Sequence, residues 1–588
     1  MPPTKRQHND QIPISNNNKK RKLEDQIAEI NSAKYLLEDL ANEILYELFE
    51  YLDSYDIYKG FYNLNRRFQN LAINSNVLTK INVSTMSKIN FKDYYQNILI
   101  PNRNQIKVLR LSNPFTADVI FSPPRTILNF VHLEKLILDK VQIKYFTKVF
   151  RHLQELPKLH SLTISLTAGC NQQSLDGIFS NIFHLPKLKY CKIEYEIKRL
   201  EDEPVQLYFT HRDSSLIECL IINGRFPFNQ FQNLLWRLPK LQYLSINCLV
   251  ESYDNMEQEK LTHTELKYLK YVSLKFDFIN FHKFEEVMKK CFYHVQMLRL
   301  TTDYNEKCLS AKRWQQLIMS YMPYLRIFDI NHQDYIEKKN FTYHHIINQF
   351  NSSFWTGKNG FLHINMTRRN NQLAEFFIQP LHIVEHLHIA SEEIVGDCLN
   401  YFPNVNELSI ENKFTTSGDS IIATLRRMIS LRQLTKLVIQ SHLFPIKDII
   451  NLLLLTPNVH TLSLNLYILD YFNINSNRQK KICQYVSKKN KIQNLILNQR
   501  CSLTEIQFIV YLLPRLKCLK AQMERKEIGQ IIRFLLSKTH NRTRNLFYLC
   551  ILEVPKVCLT ETKVLIESKN LLNDYSIKYI DRDLHLWW

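Results

Sequence analysis

Histidine and cysteine are the residues of this 588-residue chain best suited to metal ligation, proton transfer or nucleophilic attack, and their spacing decides which of these is on offer. His382, His386 and His388 lie close together. They flank a predicted strand, however, and no cysteine or carboxylate set stands beside them at ligand spacing, so no metal is expected there. His344-His345 and the terminal His585-Leu586-Trp587-Trp588 carry no stronger signal; the tryptophans are expected to seal the last repeat's core. The 12 cysteines include no CxxC pair and read as reduced, mostly buried small hydrophobes. No GxxxxGK[ST] phosphate loop, GxSxG elbow or HExxH helix is present. The expectation is a chain with no catalytic residue, no cofactor and no metal, which works by binding.

The bulk properties agree with that. Apolar residues make up 45% of the chain and aromatics 12%, ample for a core, while 9 glycines leave little room for folds built on glycine-rich loops. The length exceeds what one hydrophobic core usually holds, so either several domains or an elongated repeat body is expected. A net charge of +20 permits acidic partners, but the lysines are scattered and form no stripe, which argues against nucleic acid. There is no signal-peptide core, and no apolar run reaches the ~18 residues of a membrane span. The cytosol or nucleus is the expected compartment.

Three regions follow along the chain. Residues 1–35 are polar and asparagine-rich, and are expected to stay disordered. Their Lys19-Lys20-Arg21-Lys22 run reads equally well as a nuclear import patch or as a solvated charge run. Residues 36–80 read as three short helices. Leu40, Ile44, Leu48 and Leu52 recur every four residues, with Leu45 and Phe49 beside them, the pattern of an amphipathic helix with a broad apolar face. Asp39 is the expected capping acceptor. Asp53-Ser54-Tyr55-Asp56 makes the turn into a second apolar series, Ile57, Phe61, Leu64, Phe68 and Leu71. So small a module leaves apolar surface that needs a partner, or else it serves as the cap of the first repeat.

These residues resemble an F-box. The pattern's opening, middle and closing elements correspond to Leu40-Ala41-Asn42-Glu43-Ile44-Leu45, to Phe49-Glu50-Tyr51-Leu52-Asp53-Ser54-Tyr55-Asp56, and to Asn65-Arg66-Arg67-Phe68. Two features depart from it: Ala41 stands where proline is usual, and the tryptophan often found near the end is absent. The resemblance implies docking on the Skp-type linker of a cullin–RING ubiquitin ligase, and through it on cullin. It also implies that Leu40, Ile44, Leu45, Leu48, Phe49 and Leu52 supply much of the docking face.

From residue 105 to 560 one motif returns: an apolar residue, two others, Leu, one residue, then Leu or Ile. Leu133-Glu134-Lys135-Leu136-Ile137-Leu138 and Val459-His460-Thr461-Leu462-Ser463-Leu464 are clear copies. Successive starts lie 24 to 30 residues apart as far as Leu325, and 21 to 33 apart after Val384; the 59-residue gap between leaves room for a degenerate unit near Phe361-Leu362-His363-Ile364. Helix-like stretches such as Phe281–Cys291 and Ile446–Leu455 fill the intervals, and prolines precede many strands. The period is that of leucine-rich repeats, and the resemblance extends to the longer-unit kind that follows F-boxes in substrate adaptors. The expected fold is α/β: a helical module, a linker at 81–104, a curved solenoid with parallel inner strands in horseshoe form, and a C-terminal cap at 561–588. A HEAT or armadillo solenoid is the rival, and its ~40-residue unit fits poorly.

Residues between the two inward leucines are expected to form the recognition face. Arg110, Lys192, Arg299, Asp329, Ser409 and Lys520 are the candidates, with Tyr243 alongside. The mixture of charged, small and apolar groups suits a protein target better than a nucleic acid, which calls for a basic track with stacking aromatics. The expected function is that of a non-catalytic substrate adaptor of a ubiquitin ligase. The alternative is a repeat scaffold outside any ligase, its N-terminal helices acting only as a cap.

Overall fold

The computed structural model describes residues 36–588 except 53, 63, 75–79, 84–85, 142–148, 167–171, 196–213, 252–265, 304–308, 335–348, 351, 357–361, 369–385, 392–400, 414–418, 441–443, 445, 466–476 and 538–541. The basic tail, Asp53, His344, His345 and His382 lie outside these residues. The chain divides into two compact units, Met1–Leu78 and Thr79–Trp588.

In the first unit, helices α1 (Asn42–Glu50), α2 (Ser54–Phe61) and α3 (Arg66–Asn74) enclose a small core of Leu45, Phe49, Ile57, Phe68, Leu71 and Ala72. Phe49 meets Phe61 edge-on at 4.9 Å between ring centres. Leu64, expected in the same apolar series, is exposed instead, because it falls in the turn before α3. Asp39 does not cap α1. Its carboxylate turns back to accept from the Leu36 N–H at 2.9 Å, and Ala41 is the N-cap with no side-chain acceptor.

In the second unit, eleven of the described strands, from Lys80–Asn82 to Leu362–Arg368, form one parallel sheet in strict chain order. The degenerate unit near Phe361 supplies its last strand, Leu362–Arg368, paired with Ile327–Asp334. Nine more strands, from His386–Ser391 onward, form a second sheet. Strand side chains alternate between faces. The motif leucines therefore fall on one face, as in Leu136 and Leu138 or Leu462 and Leu464, all buried. In the second sheet they join residues of the intervening helices, such as Ile449 and Leu453 of Ile446–Leu455, in one core. This is an α/β solenoid of leucine-rich repeat type.

The end of the chain departs from the repeat. After the helix Val557–Ser568, a hairpin of Ser576–Ile580 and Asp583–Trp587 pairs antiparallel to the last repeat strand, Tyr548–Ile551. Its two turn residues, Asp581 (φ 52°) and Arg582 (φ 69°), both take the left-handed conformation that a tight two-residue hairpin turn requires.

The solenoid is also not an open horseshoe, because its two ends meet. Trp587 is 2% exposed and stacks on Phe115 at 5.6 Å, and its Nε1–H donates to the Met86 carbonyl at 3.1 Å. Trp587 thus packs on the first repeats, whereas Trp588, half-buried, packs against the core of the last ones as expected. The Lys88 N–H donates to the Trp588 carbonyl at 3.1 Å, and Lys88 and Lys92 both reach Asp574 at 2.5 Å. Those two ammonium donors hold the Asp574 carboxyl below its ordinary range. A depressed folded-state value means the contact stabilises above the ordinary aspartate pKa of about 3.9 and weakens as pH falls through the lowered value. Asp574→Asn is therefore expected to remove part of the acid-side loss of thermal stability, read from melting curves between pH 3 and 7.

Candidate functional site

The first candidate surface is on α1. Ile44 and Leu48, one turn apart on α1, and Leu52, in the bend just past its end, are 45%, 40% and 37% exposed, and Leu36, Leu37 and Tyr51 are exposed as well. Leu40 is half-buried against the module's core. Leu45 and Phe49 depart from the expectation that they belong to the docking face. Both are 0% exposed, because α2 and α3 pack on that side of α1. Of the six residues expected on the docking face, the structure leaves three at the surface and puts two wholly inside.

The closing triplet has a structural task that the sequence did not reveal. Arg67 Nη1 and Nη2 donate to the carbonyls of Glu38 (2.5 Å) and Leu40 (2.6 Å), and Nε donates to Asn42 Oδ1 at 3.0 Å. Asn65 accepts from the Phe68 N–H at 3.0 Å and donates to Glu38, which caps α3 and ties it to the same segment. One guanidinium thus fixes where α1 begins, and with it the orientation of the exposed flank. Arg67→Met is expected to cost about 2 kcal/mol locally, since bonds to a charged donor are lost and the site is open to water. Faster amide exchange across residues 42–50, with the repeat unit unchanged, is the readout.

Ala41 has φ −62° and ψ 151°, and Leu40 before it is extended. Proline adopts that φ without strain and tolerates that neighbour. Ala41→Pro is therefore expected to stabilise the module by about 0.5–1 kcal/mol through the unfolded state, measured as slower exchange of the α1 amides.

The second candidate surface is the sheet face opposite the leucines. Ladder register carries Arg110 to Ile137, Thr163, Lys192, Ile221, Ser245, Ser273, Arg299 and Asp329 in one row. The second sheet continues such a row through Ser409, Val438, Ser463, Ile496 and Lys520 to Cys550 and His585. The expected residues other than Tyr243 fall in these two rows, but much of their charge is already spent, and Asp329 is buried rather than presented. Arg110 pairs with Asp139 at 2.8 Å, Arg299 with the buried Asp329 at 3.0 Å, and Ser409 with His386 at 2.7 Å. Lys192 is half-buried among its ladder neighbours. Tyr243 is 38% exposed and lies beside Tyr271, their rings 6.3 Å apart.

Arg110 and Lys520, about 400 positions apart in the chain, line one cavity of about 640 Å³ together with Glu194, Lys436, Tyr548 and His585. That volume suits a small ligand and is far too small for a folded protein. The candidate target surface therefore divides. Arg110 and Lys520 line a half-open pocket, whereas Tyr243, Tyr271 and Arg299 offer exposed groups elsewhere on the same face.

The described cysteines are free thiols, buried or half-buried. Burial pushes Cys219 and Cys291 up to about 11, and Cys501 up to about 12 with the help of Glu505 and Glu524, so these three stay protonated near neutrality and are poor nucleophiles.

The observed fold defines the class: an α/β solenoid of leucine-rich repeat type, with a helical module as a second compact unit. Among the described residues, no helix is long and apolar enough to cross a membrane. No protein-family model matches the chain. No curated protein matches it either. Among solved structures, the leucine-rich repeat protein LIC12759 of Leptospira interrogans is similar over 75% of this chain and 97% of its own, at 17% identity and a TM-score of 0.25. A chain of the yeast Rad7–Elc1 complex is similar over 87% of this chain and 92% of its own, at 14% identity and a TM-score of 0.22. At such identities and TM-scores neither likeness bears on function.

Proposed function

We propose that the chain is a non-catalytic adaptor of a cullin-type ubiquitin ligase. Its α1 flank docks on the Skp-type linker, and its repeat face presents a protein target to the ligase. The observation that carries this reading is the flank itself: Ile44, Leu48 and Leu52 stay exposed while Leu45 and Phe49 complete a core beneath them. A helix that served only to close a core would leave one apolar side; this one has two, and the outer side is left exposed by the described residues of its own module. The order and spacing of the motif elements resembling an F-box point to the linker as the partner.

The adaptor contributes proximity, holding target lysines near a ubiquitin-charged enzyme so that transfer becomes effectively intramolecular. Target contacts fall to the exposed aromatic pair Tyr243 and Tyr271 and to Arg299, residue types that dominate binding energy at protein interfaces. Such a complex forms in the cytosol or nucleus. The test is affinity purification of the tagged full chain from cells, probed for the Skp-type linker and cullin. Both are expected at stoichiometric levels; a preparation that retains neither leaves the chain a repeat scaffold outside any ligase.

A further inference from the structure

Three side chains that sequence spacing leaves unconnected converge at the end of the inner sheet face. Cys550 lies on the last repeat strand, and His585 is its direct partner across the antiparallel ladder. Asp583, two residues before His585, projects from the same face. A thiol sulfur, a ring nitrogen and a carboxylate oxygen all come within 4.8 Å of one another. Cys550 is 1% and His585 8% exposed, and both line the 640 Å³ cavity. From this convergence we propose that Cys550, Asp583 and His585 form a binding site for a zinc-class divalent ion, with its remaining coordination position open to the cavity.

The donor set is chemically apt. Thiolate, imidazole and carboxylate are the ligands zinc takes, at about 2.0–2.3 Å, which puts ligand atoms of one tetrahedral ion roughly 3.3–3.8 Å apart. Closing from 4.8 Å needs side-chain adjustments of about 1 Å on a rigid two-strand platform. The surroundings also orient the donors. Tyr548 Oη lies 2.7 Å from His585 Nδ1. With the Nδ1–H donating to that oxygen, Nε2 carries the lone pair, the outer-sphere arrangement that metal-bound histidines use. Asp583 Oδ1 accepts from the Glu553 N–H at 3.0 Å, which holds the carboxylate in place. Lys578, the cation facing His585 on the hairpin, turns its Nζ to the Pro114 carbonyl and to Asp118. On binding, the Cys550 thiol loses its proton to solvent and the sulfur enters as thiolate.

The test uses the purified full chain, loaded with zinc and dialysed exhaustively, with metal measured by mass spectrometry, and in parallel loaded with cobalt(II), whose visible spectrum reports thiolate ligation. The wild type is expected to keep about one zinc per chain and to show a thiolate–cobalt band. Cys550→Ala and His585→Gln should lose both signals, while Cys483→Ala, a buried cysteine elsewhere in the core, keeps them. Circular dichroism melts identify any variant that fails to fold, and for such a variant Asp583→Asn, exposed enough to be tolerated, takes its place with at least a tenfold weaker zinc affinity expected. A wild type that retains no zinc, or zinc retention indifferent to all three substitutions, overturns the site.

Discussion

Replacing Ile44 and Leu48 together by aspartate is expected to abolish linker binding while leaving the fold intact. Both side chains are at least 40% exposed, so the unbound protein accommodates the carboxylates in water, with a stability change within about 0.5 kcal/mol. In the docked state the same positions are covered. Burying two unpaired charges costs at least about 2 kcal/mol each, or roughly a thousandfold in affinity. The contrast with the neighbouring positions is diagnostic. Leu45→Asp or Phe49→Asp puts a charge into the module's core and unfolds it, so circular dichroism and binding fail together. Binding lost with helicity kept, measured by calorimetric titration with purified linker, is the pattern that separates a docking flank from a structural cap.

Trp587→Ala is expected to be the most damaging single substitution in the repeat unit, costing about 3–5 kcal/mol. The indole is almost wholly buried between Phe91 and Phe115, and it holds the hairpin at one end of the solenoid to the segment before the first repeats at the other. Removing it leaves a cavity and an unsatisfied Met86 carbonyl, and leaves the two ends joined by the polar contacts of Lys88, Lys92 and Lys578. Trp587→Phe keeps most of the stacking and loses only the donor, so about 1–1.5 kcal/mol is expected. Guanidinium unfolding of the two variants measures the difference. An alanine variant as stable as the wild type shows that the ends do not meet in solution.

These two predictions rest on features of unequal legibility. The solenoid could be read from the sequence because each Leu-x-Leu pair is local: strand alternation alone puts those leucines on one face, and register does the rest. The module's existence was legible for the same reason. Its facing was not. Apolar residues at 40, 44, 45, 48, 49 and 52 cover so much of α1 that periodicity cannot say which stripe turns inward; only the packing of α2 and α3 decides it. Arg67 is another such case, because its partners lie 25 to 29 residues away, and two of them, on Glu38 and Leu40, are backbone carbonyls, which leave no mark in side-chain pattern. The meeting of the two ends, Lys88 with Asp574 and Met86 with Trp587, spans about 500 residues, beyond any local signal. Cys550 did have one: it stands between Leu549 and Ile551 exactly as Lys520 stands between Leu519 and Ala521. Its partner His585 sits on an antiparallel hairpin strand that carries no copy of the motif, so the pair stays invisible until that strand is placed.

The central claim is that the outer flank of α1 is where the linker sits, and amide hydrogen exchange of the full chain with and without purified Skp-type linker tests it most directly. The account predicts slowed exchange concentrated in residues 36–52, with the repeat strands unchanged. Exchange unaltered across α1, or protection that appears only on the repeat strands, contradicts it.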